Sequence, residues 1–214
     1  NLLEATTTGV VTASIATTEP VSELNTLTGT NGAYTIVVAS GDATSTTAAQ
    51  LNTLNGKTTV AVNLTNVTAL AGSSLSDLET LASAINANEF SNDSGLTTIA
   101  VTDTTIDATT LASTIDSYDV IGGTTDMTLA SGATINVDAG EITHMLADES
   151  AGRLTIVDQV ITVTNPITVD TANLLGATTT GKLTATIATT ETVTELATLS
   201  ADGGTNDLTI VIRA

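Results

Sequence analysis

Side chains able to carry acid–base or ligand chemistry are few in this chain. Its one histidine, His144, stands in the run EITHMLADE beside Met145, with Glu141 one helical turn before it. Such a pair could act as a general base or hold a metal. The run lacks the second histidine that the H-E-x-x-H zinc arrangement requires, and a single helical histidine at a packed corner needs no chemistry. No catalytic residue and no cofactor-binding residue is therefore assigned, and the chain reads as a non-enzyme. Hard oxygen ligands are better supplied. Asp103 with Asp107, Asp116 with Asp119 and Asp126, and Asp202 with Asp207 place carboxylates at turns where calcium could be held. Neither the glycine–aspartate nonapeptide of the calcium β-roll nor an EF-hand loop is present, and turn aspartates also cap backbone amides. Calcium is left as an open cofactor, its ligands unassigned.

The elements that would position these groups are repeated. Asn1–Thr28 returns as Asn173–Ser200 with 20 of 28 positions identical at a constant offset of 172. That similarity means duplication. It divides the chain into one long block, residues 1–172, and the start of a second copy, residues 173–214, and it suggests a piece of a longer array. Shorter units anchor on Leu2, Leu24, Leu51, Leu78, Leu111, Ile142, Leu174 and Leu196, at spacings of 22 to 33 residues.

Each unit joins a short helical segment to an alternating β-type run. Asp107, Asp138 and Asp170 precede apolar-periodic segments as N-caps would. Ser76 with Glu79 reads as a capping box. Leu75, Leu78, Leu81, Ala82 and Ile85 then share one face of what should be the longest helix, about three turns, the other helices having one or two. Strands are expected at 10–15, 33–39, 58–64, 96–101, 133–137, 154–163, 183–187 and 208–212, where Thr, Val and Ile dominate. Glycines such as Gly132, Gly152 and Gly181 mark corners. Units this short cannot close a core alone but can when stacked. The pattern predicts a mainly β chain with short helices, a parallel β-solenoid of about eight coils of 22–33 residues.

Composition narrows the function. Hydrophobic residues make up 41% of the chain and the mean hydropathy is +0.31, unlike a disordered segment. Only Tyr34, Phe90 and Tyr118 are aromatic, too few for an ordinary enzyme core. Against 23 acidic residues stand four basic ones, Lys57, Arg153, Lys182 and Arg213, for a net charge of -19. This surface repels nucleic-acid phosphates and anionic membranes. Cysteine is absent, which removes disulfides and thiol catalysis, and no apolar run approaches a membrane span. Threonine, at 49 of 214 residues, raises the alternative of an ice-binding face. The Thr doublets and triplets fall in turns, however, and the variable spacing spoils a lattice match.

The phrases LNTLNGK (Leu51–Lys57) and VTALAG (Val67–Gly72) resemble the Thr/Ala/Leu-rich tandem repeats of giant cell-surface proteins of bacteria, of the cyanobacterial type. Degraded versions cover most of the chain, and residues 90–166 depart furthest. The resemblance implies an extracellular or cell-surface structural or adhesive role and transfers no functional residues. The expectation is an acidic structural segment that serves as fibre, spacer or surface layer. Its partners would be copies of itself or adjoining repeats. A calcium-dependent adhesin module and an ice-binding solenoid are the alternatives.

Overall fold

The computed structural model describes residues 2, 4–28, 32–121, 125–200 and 206–210. In chain order its first elements are β1 (Val11–Ser14), α1 (Val21–Leu24), β2 (Gly32–Thr35), α2 (Ala48–Asn55), β3 (Val62–Asn63), β4 (Ala69–Ser73), α3 (Leu75–Asn86), β5 (Phe90–Ser91) and β6 (Thr98–Val101). There follow β7 (Thr105–Asp107), α4 (Ala108–Ile121), β8 (Asp126–Leu129), β9 (Thr134–Val137), α5 (Ile142–Ser150), β10 (Leu154–Thr155), β11 (Val160–Val163), α6 (Val169–Thr178), β12 (Leu183–Ile187), α7 (Val193–Leu196) and β13 (Asp207–Ile210). They form two compact units, one of residues 1–102 with 114–127, the other of residues 103–113 with 128–214.

In the first unit the pairs β1–β2, β3–β5 and β4–β6 are parallel. Val11 lies opposite Gly32, Val62 opposite Phe90 and Ala69 opposite Thr98. Strands therefore pair with the strand one repeat away, and β3–β5 interleaves with β4–β6. Helices α1, α2 and α3 pack in succession. Thr47 and Gln50 close a capping box on α2, and the face Leu75, Leu78, Leu81, Ala82 and Ile85 of α3 is buried as its spacing requires. Side-chain amides tie each helix to the next: Asn25 Nδ2 donates to the Gln50 carbonyl at 3.2 Å, and Asn52 Nδ2 to that of Asp77 at 2.9 Å.

The second unit is built on one five-stranded parallel sheet of order β13-β12-β11-β9-β7. Ile106, Ile135, Ile161 and Leu183 face one another across four of its strands, and all four are buried to within 1% exposure. This apolar row holds the sheet, since each fully buried branched side chain contributes about 1.5–3 kcal/mol. Helix α6 packs on β12 and α5 on β10. Gly181 allows the backbones to approach: a Cβ there would lie 2.2 Å from the Gln159 carbonyl oxygen. At Gly132 and Gly152 the backbone is left-handed, with φ of +67° and +71°.

The fold class corrects the expectation of a parallel β-solenoid. Among the described residues seven α-helices alternate with the strands, and the strands form separate parallel sheets of two, four, five and two strands that are neither closed nor curled. The chain is mixed α/β. Helices of up to 14 residues bury whole apolar faces and need a layer of their own, which strand stacking alone does not provide. The helix readings shift accordingly. Helix α4 exceeds α3 by two residues, and the cap of α3 is Ser74, accepting from the Asp77 N–H at 3.2 Å. Thr168 caps α6 in place of Asp170. Asp107 does serve α4, accepting from the Thr110 N–H at 3.1 Å. The run 154–163 breaks into β10 and β11, and β4, β5, β7 and β8 lie outside the expected strands; β7 and β8 alternate, but over only three and four residues. Residues 211 and 212 of the last expected strand lie outside the described residues.

Threonine has a structural use that its abundance alone does not disclose. Thr97 donates its N–H (2.9 Å) and its hydroxyl (3.2 Å) to one carbonyl, that of Thr68. Thr68 does the same to Ala43, Thr59 to Gly32, Thr164 to Val137 and Thr180 to Val157. Each clamp spans 23 to 29 residues and closes one repeat onto the one before. The hydroxyl satisfies the carbonyl's second lone pair next to an end of a strand ladder.

Candidate functional site

His144 lies on α5, its side chain 40% exposed, with Nε2 3.8 Å from Oδ2 of Asp148 one turn on. Asp148 is fully buried and is met at Oδ1 by the Arg153 guanidinium. The Arg153 N–H also donates to the Asp148 carbonyl at 2.9 Å. The left-handed Gly152 turns the chain so that Arg153 faces back onto the helix. Removing a carboxylate from water is costly unless it is paired, and here the cation that pairs it also joins the end of α5 to β10. The geometry is that of a fastening. Met145 is buried, and Glu141 sits before the helix, its N–H donating to Asp138 at 3.2 Å. Sequence reading named His144 and missed Asp148 and Arg153. The i, i+4 spacing of His144 and Asp148 was the available signal.

The aspartates proposed for calcium separate into different tasks. Asp107 caps α4, Asp116 and Asp119 ride on that helix, Asp126 opens β8, and Asp103 lies between β6 and β7. Asp207 pairs with Lys182 at 3.2 Å in solvent, and Asp202 is outside the described residues. Among the described residues no three His, Asp or Glu side chains come together.

The duplicated phrase can be followed through its hydrogen bonds in both copies. The two-stranded sheet ends at β1 and the five-stranded sheet at β13. The duplication shows which groups these edges present. In the second copy the Lys182 and Thr186 carbonyls accept from the N–H groups of Ile161 (2.9 Å) and Ile167 (2.9 Å), and the Ala188 N–H donates to Ile167 (2.8 Å). The matching groups of the first copy are the Val10 and Ser14 carbonyls and the Ala16 N–H. Among the described residues nothing pairs with that side of β1. Similarly, Tyr34 of β2 exchanges hydrogen bonds with the Thr58 hydroxyl (2.9 and 2.8 Å) and Ile36 accepts from Asn63 (3.0 Å). Their counterparts Leu208 and Ile210 on β13 meet no such segment among the described residues. Among the described residues seven large apolar side chains are left exposed, and four of them, Leu2, Val10, Leu174 and Val193, belong to the duplicated phrase. From Ala5 to Thr18, around β1, there is no charged residue.

Comparison with known proteins found no matching family model, no similar curated protein and no similar solved structure.

Proposed function

We propose that this chain is a structural segment of a repetitive protein acting outside the cell or on its surface, non-enzymatic, working as fibre, spacer or layer component through contacts with copies of itself. The observation that carries this reading is the duplication. The same phrase supplies one strand of the same parallel pair twice, with Ala13 opposite Tyr34 and Ala185 opposite Leu208. Two further features support it. The acidic surface keeps a repetitive chain soluble where salt screens its self-repulsion, and the Thr clamps give the contact between repeats a fixed register. The phrases at Leu51–Lys57 and Val67–Gly72 add the resemblance to bacterial cell-surface repeats. Electron microscopy of the purified chain, with and without calcium, tests the reading. Filaments or a lattice are the expected result; dispersed particles at every concentration would overturn it, and assembly only with calcium would move the reading to a calcium-dependent adhesin.

A further inference from the structure

We infer that Asn55 is a site of spontaneous deamidation, and that its conversion to a carboxylate loosens the contact between α2 and α3. The inference concerns the single chain and does not depend on self-association. Asn55 is the last residue of α2, and Gly56 follows it. In an Asn–Gly pair no Cβ on the glycine hinders approach of its nitrogen to the asparagine side chain, and ring closure between the two is intramolecular.

A helix end ordinarily restrains that approach by holding the nitrogen in a hydrogen bond. Asn25, Ala87, Ala151 and Ala197 stand in the corresponding place after α1, α3, α5 and α7, and each donates its N–H to the carbonyl four residues back. Gly56 makes no such bond to Asn52; the end of α2 is closed instead by the Lys57 N–H on the Leu54 carbonyl at 2.9 Å. Having given its proton to hydroxide, the Gly56 nitrogen can attack Cγ of Asn55. The new N–C bond expels Nδ2 as ammonia, and water opens the resulting ring to aspartate or isoaspartate. Gly56 is exposed, and Asn55 lines a polar cleft of about 180 Å³ with Thr58, Thr59, Asn88 and Glu89, so water and hydroxide reach the pair.

The Asn55 amide also joins two helices. Its Nδ2 donates to Oε2 of Glu89, 34 residues on and just past the end of α3. A carboxylate at position 55 would replace this charge-assisted hydrogen bond with two like charges in contact.

Mass spectrometry of the full chain held for weeks at mildly alkaline pH reads the reaction, with fragmentation to separate Asn55 from the other Asn–Gly pair, at Asn31. The chain unfolded in guanidinium sets the intrinsic rate. Conversion at Asn55 is expected in the folded chain, while Asn88 and Asn92, exposed but not followed by glycine, keep their amides. Gly56→Ala should slow the conversion about tenfold or more. The fold should persist in that variant, since a φ of -68° suits alanine and its Cβ would lie 3.5 Å from the Thr53 carbonyl oxygen. An Asn55 still intact in the folded chain when the unfolded chain has converted would overturn the assignment. Asn55→Asp should lower the urea midpoint, and adding Glu89→Gln should restore most of the loss, because amide and carboxylate then exchange places. A midpoint unchanged by Asn55→Asp would overturn the loosening while the modification stands.

Discussion

The two copies of the duplicated phrase make the same elements and bury opposite halves of them. In the first copy β1 is half exposed along its length, while Val21 and Leu24 of α1 are buried at 2% and 3%. In the second copy Leu183, Ala185 and Ile187 of β12 are buried, while Val193 of α7 is 74% exposed. The difference follows from neighbours. Strand β12 has β11 beside it, whereas among the described residues β1 pairs with β2 alone; α1 packs on α2, and no residue of α7 is buried. A repeat in this protein is a half-interface on each side, and its stability belongs to pairs of repeats more than to any one of them.

That contrast can be broken most directly in the strands. Ile187 and Ile15 are equivalent residues, 1% exposed and half-buried respectively. Ile187→Ala should cost about 2–5 kcal/mol and Ile15→Ala about 1 kcal/mol or less, read from urea midpoints at unchanged slope. Equal losses would show that β1 is covered in solution. The helices should give the reverse order. Leu24→Ala is expected to cost about 2–4 kcal/mol and Leu196→Ala less than about 1 kcal/mol, with amide exchange locating the loss in the altered copy.

Smaller effects separate the caps. Helix α7 carries a capping box between Thr192 and Glu195. In the first copy proline stands at the equivalent position, Pro20, and the Val21 N–H is met instead by Asp42 Oδ2 at 2.8 Å, from 21 residues away. Thr192→Ala and Asp42→Ala should each cost about 1 kcal/mol. The first loss is local to α7, and the second should also loosen the turn at Ser40–Asp42.

The smallest expected effect is one of pH. The Thr192 N–H, and then its hydroxyl, hold the Glu195 carboxyl below its ordinary range, and the Ser131 hydroxyl with the Gly132 N–H does the same for Asp158. A carboxyl lowered in the folded state stabilises above the unfolded pKa, and that contribution disappears as the pH falls through the folded value. Stability should therefore decline from the ordinary carboxylate range downward, and Thr192→Ala should flatten that decline. A decline of the same steepness in the variant would mean that the box does not form in solution.

Much of the local structure was legible. The buried face of α3, the strands β1, β9 and β12, and the cap at Asp107 follow from periodicity and side-chain chemistry that act within a few residues. The Thr clamps were not legible, because a hydroxyl shows its purpose only when the carbonyl 23 to 29 residues earlier lies beside it. The same holds for Asp148, which becomes a fastening only once Gly152 has turned Arg153 back upon it. Ser76 looked like a cap on pattern alone, yet Ser74 lies where the extended backbone enters the helix, with φ of -76° and ψ of 153°, and so accepts the orphan amide.

By itself the sequence determined the repeat, the alternation within its strands and the acidic, aromatic-poor surface, because these depend on residue order and on charge alone. Only the tertiary structure decided that helices alternate with the strands and that the sheets stay open. It also decided which copy of one phrase hides its strand and which its helix. Burial is a property of neighbours, and two nearly identical segments acquire different interiors when different elements lie beside them.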